Sequence, residues 1–210
     1  MTIKAILFDM DGVLIDAREW HYEALNKALS HFGFTISRDS HLSTFDGLPT
    51  RKKLETLSKS QGLPVGLHTL INNLKQKYTI QYSYEHCKPT FNHRYALSSL
   101  HKKYKIAVCS NSITNTIEIM MELSGLNNYL DLIISNENVK NPKPNPEMFT
   151  KAMSHFSLKP YECLVIEDNE NGFKAAMDSG AYLMKVSNPD DVQLDKIESL
   201  IQEINSNPSK

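Results

Sequence analysis

Two aspartates, Asp9 and Asp11, stand one residue apart in FDMDGVLID, directly behind the apolar run IKAIL. Carboxylates this close repel each other unless a positive charge lies between them. Three further groups of chemically able residues follow: Ser110 and Asn111 at the end of KIAVCSN, Lys143 inside NPKPNP, and Glu167 and Asp168 closing CLVIED. Gathered together, these carboxylates, hydroxyl, amide and lysine make a cage for a divalent cation and a phosphoryl group. Mg²⁺ favours oxygen ligands and commonly shares them with phosphate and water, and Asp9 and Asp168 can each offer it one carboxylate oxygen. Phosphate monoesters are among the slowest compounds to hydrolyse unaided. A site for them must neutralise charge, align a nucleophile and protonate the leaving oxygen.

The elements that must bring these residues together are legible as patterns. The runs IKAILF (3–8), KIAVCS (105–110), LDLIIS (130–135), CLVIED (163–168) and AYLMKV (181–186) lack strict alternation, which predicts strands covered on both faces. Helical patterns lie between them in FNHRYALSSLHKKY, SITNTIEIMMELSG, NPEMFTKAMSHF and NGFKAAMDSG. Pro146 falls near a first turn, and Gly125 and Gly180 fall where a left-handed residue closes a helix. The strand and helix alternation predicts an α/β fold with a doubly wound parallel sheet. In such sheets functional groups collect at the carboxyl edge of the strands, where Asp9, Asp11, Ser110, Asn111, Glu167 and Asp168 fall, and Lys143 joins them from its loop. Pro142, Pro144 and Pro146 frame Lys143 and restrict its loop.

Residues 17–87 break the rhythm. They read as helices, EWHYEALNKALSHFG, TRKKLETLSKSQG behind the turn DGLP, and GLHTLINNLKQKYT, with Thr50 as the cap of the second. The predicted organisation is therefore a sheet domain of 1–16 and 88–210, with a helical insert of 17–87 after the first strand. Lys88 and Pro89 mark the return. Asp16 reads as a helix cap or hinge anchor, and the polar tail NSNPSK as a frayed end.

DMDGVLID, the strand ending in Ser110, Lys143 within NPKPNPEMF, and VIEDNENGFKAAMDSGA resemble, in order, the four motifs of the haloacid dehalogenase (HAD) superfamily. The likeness is to its branch of β-phosphoglucomutase-like enzymes and small-molecule phosphatases. It covers the whole sheet domain, and the helical insert falls where that branch carries its cap. The resemblance implies a Rossmann-like core and a Mg²⁺-dependent phosphatase acting on a small phosphorylated metabolite of the sugar or polyol phosphate class. Asp9 would attack phosphorus and become an aspartyl phosphate. Asp11 would protonate the leaving group and then activate water, its side chain toward the leaving group and its backbone carbonyl toward the metal. Ser110 and Asn111 would bond the phosphoryl oxygens, Lys143 would neutralise their charge, and Asp168 would complete a metal site with Asp9 and Asp11. Glu167 would be a ligand or a partner of one. Asn169 departs from the serine common in this branch. The turn FDGLPTRKKLETL would lie over the active site and read the leaving group, with Arg51, Lys52 and Lys53 at a helix start that favours anions.

Composition fits this reading. The 210 residues are 40% hydrophobic and 22% charged with a formal net charge of −1, which gives no reason to expect a nucleic-acid partner. Cys87, Cys109 and Cys163 are scattered, with no CxxC pair, so neither a disulfide framework nor a zinc site is expected. No leader pattern and no span-length apolar run appears, and the expectation is a cytoplasmic protein without a membrane partner. Oligomeric state is left open. The His residues have no ligand spacing, His21 being singled out only because it opens the insert. Of the rivals, a phosphomutase shares the aspartyl phosphate but returns the group to a sugar. A signalling receiver domain puts its phosphoacceptor on a middle strand and has no long helical insert after the first. A dehalogenase needs no metal and lacks an acid two residues past its nucleophile.

Overall fold

The computed structural model describes residues 2–45 and 47–206. The five apolar runs form strands β1 (Ala5–Phe8), β2 (Lys105–Cys109), β3 (Leu132–Ile134), β4 (Cys163–Glu167) and β5 (Tyr182–Lys185). They build one sheet in the order β3-β2-β1-β4-β5, with all pairings parallel. Phe8 is level with Val108 on one side and Ile166 on the other. The next residues along three adjacent strands, Asp9, Cys109 and Glu167, are therefore brought level at the carboxyl edge. The chain fills the sheet in one direction from β1 to β3 and in the other from β4 to β5. The switch of direction thus falls beside β1, the place where such sheets bind ligands.

By density of contacts the chain divides into two compact units, Met1–Asp16 with Lys88–Lys210, and Ala17–Cys87. The second contains helices α1 (Arg18–Ser30), α2 (Arg38–Ser40), α3 (Thr50–Gln61) and α4 (His68–His86), with a π-helical turn at His41–Phe45. Its core is Leu25, Ala28 and Leu29 of α1, Leu54 and Leu57 of α3 and Ile71 of α4, closed by Ile36, Phe45 and Leu63. The first unit adds α5 (Phe91–Leu100), α6 (Thr114–Leu123), α7 (Glu147–His155), α8 (Glu170–Ser179) and α9 (Leu194–Ser206). Ala5, Leu7, Ala107, Cys109, Cys163 and Val165 point to one face of the sheet, against Met148, Phe149, Ala152 and Met153 of α7 and Ala175 and Ala176 of α8. The alternate residues Ile6, Phe8, Ile106, Val108, Leu164 and Ile166 are fully buried as well. Both faces are covered, which is why the strands read as continuous apolar runs. Each such aliphatic or aromatic side chain stabilises the fold by about 1.5–3 kcal/mol.

Gly125 and Gly180 close their helices with φ of 67° and 79°, and Pro146 is the N-cap of α7. Several local expectations need correcting. Thr50 is not a cap: Pro49 holds the N-cap position of α3 with no side-chain bond, and its carbonyl accepts from Lys52 N at 3.0 Å and Lys53 N at 3.2 Å. Proline's fixed φ sets the entry without help from a hydroxyl. Asp16 does not cap α1 either, since that position belongs to Ala17 and Asp16 is exposed. Helix α4 continues past 79 to His86. Asn205 and Ser206 of the supposed frayed tail end α9, whose Ile197, Ile201 and Ile204 are buried at helical spacing; the tail's residues 207–210 lie outside the described residues. No described helix is long and apolar enough to cross a membrane.

Candidate active site

The chain leaves β1 through a tight turn. Met10 O accepts from the backbone N–H of Val13 (3.3 Å), Leu14 (2.9 Å) and Ile15 (2.9 Å), and Gly12 N donates to Ile15 O at 2.7 Å. Gly12 has φ of 87°, a backbone state that a side chain disfavours. The turn fixes Asp9 as a buried residue at the strand end and leaves Asp11 half-buried one step beyond. Asp9 N donates to Ile166 O at 3.0 Å, so the nucleophile candidate is still part of the sheet ladder.

Lys143 enters from the loop between β3 and α7, where the Lys143–Pro144 peptide is cis. Its side chain is 3% exposed. Its ammonium donates to Asp9 Oδ1 at 2.7 Å, to Glu167 Oε1 at 2.5 Å and to the Cys109 carbonyl at 2.7 Å. These acceptors belong to the level ends of β1, β4 and β2, so sheet register dictates the triangle that receives the three N–H groups. The Phe149 ring lies 4.8 Å from the same nitrogen, a favourable cation–π contact. Burial alone would lower the Lys143 pKa, but the Asp9 and Glu167 charges prevail and hold it above the ordinary lysine value. One ammonium serves two buried carboxylates. Accordingly burial, and then the charge of Glu167, push the Asp9 carboxyl well above its usual range against the pull of Lys143. Glu167 is raised too, by burial, with Lys143 opposing.

Ser110 and Asn111 continue β2. Ser110 is buried, and its hydroxyl accepts from Ser112 N at 3.1 Å. Ser112 Oγ in turn donates to Asp11 Oδ2 at 3.2 Å, tying the loop after β2 to the loop after β1. The Asn111 side chain does something not anticipated. Its Oδ1 accepts from Lys143 N at 3.1 Å and its Nδ2 donates to Lys143 O at 3.1 Å.

At the end of β4, Glu167 Oε2 accepts from Asp168 N at 3.1 Å. Asn169 caps α8 by accepting from Gly172 N at 3.1 Å, and its Nδ2 donates to Asp168 Oδ1 at 3.0 Å and Glu167 Oε2 at 3.4 Å. Asparagine thus combines the capping oxygen a serine would supply with a donor that steadies two carboxylates. A Cβ at Gly172 would fall 1.9 Å from Glu167 Cδ and 2.1 Å from each carboxylate oxygen. The first turn of α8 therefore presses its backbone directly on Glu167.

Asp9, Glu167 and Asp168 each offer a carboxylate oxygen within 4.8 Å of the others. An all-oxygen, acidic and largely buried donor set suits a hard cation such as Mg²⁺, and a cation there would reverse the upward push on the carboxyl groups.

A family model described as haloacid dehalogenase-like hydrolase matches residues 6–186. The chain belongs to this family. Among relatives of this hydrolase is a phosphorylated carbohydrates phosphatase of Thermotoga maritima, 26% identical over 179 residues, covering 85% of this chain and 82% of the relative. A fructose-1-phosphate phosphatase of Escherichia coli is 25% identical over 177 residues, 83% of this chain and 92% of that one. In fold, the hydrolase is similar to the crystal structure of β-phosphoglucomutase from Clostridium difficile, with a TM-score of 0.84 and 21% identity over 98% of this chain and 100% of that one.

In this haloacid dehalogenase-like hydrolase the three motif ends carrying Asp9, Lys143 and Glu167–Asp168 meet in one cluster, and Ser112 joins Asp11 to the Ser110 turn. Sequence reading passed over Ser112, Gly172 and Phe149. Gly172 did carry a signal: a glycine inside a helical run costs about 1 kcal/mol relative to alanine, so its presence calls for a packing reason. In the helical unit, Arg51 and Lys52 pair with Glu55 at 3.0 Å and 3.2 Å, whereas Lys53 and Lys75 are buried. His21 Nδ1 lies 3.2 Å from Lys75 Nζ. The three cysteines are buried and form no disulfide; burial pushes Cys109 and Cys163 up to about 12 and Cys87 up to about 11, far from a reactive thiolate.

Proposed function

We propose that the protein is a Mg²⁺-dependent phosphatase that hydrolyses a small phosphorylated metabolite, of the sugar or polyol phosphate class, through an aspartyl phosphate on Asp9. The observation that carries the reading is the single ammonium of Lys143 bonded at once to Asp9 and Glu167, beside an oxygen cluster completed by Asp168. Membership of a hydrolase family and relatives named as phosphatases of phosphorylated carbohydrates and of fructose 1-phosphate support it.

The Asp9 and Asp168 carboxylates and the Asp11 backbone carbonyl would hold the cation, with Glu167 beside them and already on Lys143. When bound, the cation supplies positive charge to the phosphoryl oxygens. In the first half-reaction a carboxylate oxygen of Asp9 attacks phosphorus and the bond to the leaving oxygen breaks. Asp11 gives its proton to that oxygen, releasing an alcohol. In the second, Asp11 takes a proton from water, whose oxygen attacks phosphorus; the bond to Asp9 breaks, freeing phosphate and the carboxylate. Ser112 orients Asp11 for both transfers. Ser110 donates to a phosphoryl oxygen, and Lys143 offsets the charge that develops on transfer.

The reading is tested by phosphate release from a panel of sugar, polyol, amine and nucleotide monophosphates. Steady release from a sugar or polyol phosphate with Mg²⁺ is expected, with loss of turnover under a chelator and recovery on adding Mg²⁺ back. Indifference to chelation overturns the metal-dependent reading. A requirement for a sugar bisphosphate activator, with isomerised sugar phosphate as product, replaces hydrolysis by phosphoryl transfer back to sugar.

A further inference from the structure

We infer that Asn111 is a positioning residue for Lys143 rather than a direct ligand of the phosphoryl group; this rests on the phosphatase reading and extends it. Lys143 is reached through a loop, the kind of segment least able to hold a side chain to within fractions of an ångström. Yet its ammonium must meet three acceptors at 2.5–2.7 Å. The side-chain contacts secure the tip of the residue; something must secure its main chain. Asn111 does so with both ends of one planar amide, accepting from Lys143 N and donating to Lys143 O at 3.1 Å each. This reproduces the two-bond exchange between paired residues of neighbouring antiparallel strands, here made by a side chain across 32 residues of sequence.

The clamp is itself anchored. Asn111 O accepts from Asn136 Nδ2 at 2.7 Å, so its backbone is tied to the loop after β3. On the other side, Glu147 accepts from Lys140 N at 2.8 Å and Asn141 N at 2.9 Å, fixing the entry to the proline-framed loop from the start of α7. Lys143 thus has its main chain held by Asn111, its approach held by Glu147 and its ammonium held by the three strand ends. Neither a shorter side chain nor a carboxylate can replace the amide. Serine has no second donor or acceptor at the right reach, and aspartate would face the Lys143 carbonyl oxygen with an oxygen of its own.

The test is a double-mutant cycle with steady-state kinetics on the best sugar phosphate from the panel, Mg²⁺ saturating. Asn111→Ala and Asn111→Asp are each expected to lower kcat by about tenfold or more while KM changes less than about threefold, since the amide acts on Lys143 and not on ground-state binding. In a Lys143→Met background, Asn111→Ala is expected to change kcat less than about twofold and to leave the inhibition constant of inorganic phosphate unchanged. An equal loss of kcat in both backgrounds, or a weakened phosphate inhibition constant in the double variant, overturns the inference in favour of direct phosphoryl contact. So does full activity of Asn111→Asp. Should Asn111→Ala fail to fold, the near-isosteric Asn111→Asp carries the cycle alone. Wild-type turnover by Lys143→Met would instead overturn the role given to Lys143, and the absence of phosphate release by the wild-type chain would overturn the phosphatase reading; both results are separable from any outcome at Asn111.

Discussion

Lys143→Met is expected to lose turnover on the order of 10³-fold and to be less stable by about 3–5 kcal/mol. Methionine preserves much of the length and volume, so the change isolates the charge. The stability figure follows from burial. The Asp9, Glu167 and Lys143 side chains are 7%, 0% and 3% exposed, and removing one partner of a buried ion pair leaves the other uncompensated, at about this cost. For a chain of this size it corresponds to a fall in melting temperature on the order of 10 °C. The catalytic loss has a separate origin, the donor aimed at charge that develops during transfer, where one group is worth about 10²–10³ and cationic ones more. Differential scanning calorimetry and phosphate release check the two halves independently. A Lys143→Met protein with unchanged melting temperature would show that the carboxylates do not depend on the ammonium.

Gly172→Ala is the second large effect. Its expected outcome is a loss of turnover on the order of 10²-fold together with a destabilisation of about 1–3 kcal/mol. The residue is helical and has no positive φ among the glycines that do, so its backbone would accept alanine; only space forbids it. The added methyl would lie about 2 Å from the Glu167 carboxylate (1.9 Å from Cδ and 2.1 Å from either oxygen). Glu167 cannot swing aside cheaply, since Lys143 holds one oxygen and Asp168 N the other. It must shift, and Lys143 and Asp9 shift with it; a displacement of about 1 Å is enough to cost the expected rate. The cause is checked by repeating the change in a Glu167→Ala background. There alanine at 172 should be neutral or slightly stabilising, as a better helix former than glycine by about 1 kcal/mol. An equal penalty in both backgrounds would place the clash elsewhere.

How far these features were legible differs with the kind of information each needs. Asp9, Glu167 and Asp168 follow from one rule, that parallel strands deliver functional groups at their carboxyl ends, and each ends or follows an apolar run; Lys143 is marked instead by the prolines that frame its loop. The strands are visible for the same reason, being buried on both faces. Helix ends were less legible where two local preferences competed: Thr50 is a good capping residue, but Pro49 had already fixed the chain's direction. The terminal helix carries its period in Ile197, Ile201 and Ile204, but the charged and polar residues between them and the polar tail behind them dilute that signal. The second tier of the site was not legible. The bonds of Asn111 to Lys143 and of Ser112 to Asp11 span 32 and 101 residues, and short polar residues near a strand end look alike until the loops are in place. An amide beside a phosphoryl group reads most simply as its ligand. Only the folded loops bring both its ends against a backbone.

The proposed reaction depends on Asp9 as the nucleophile. The most direct measurement is phosphate release from the best sugar phosphate, with saturating Mg²⁺, by the wild-type chain and by Asp9→Asn at equal concentration. The substitution keeps the size of the side chain while removing the carboxylate proposed to attack phosphorus. Turnover by the wild type and none above background by Asp9→Asn is the predicted result. Sustained phosphate release by Asp9→Asn at a comparable rate would contradict the account.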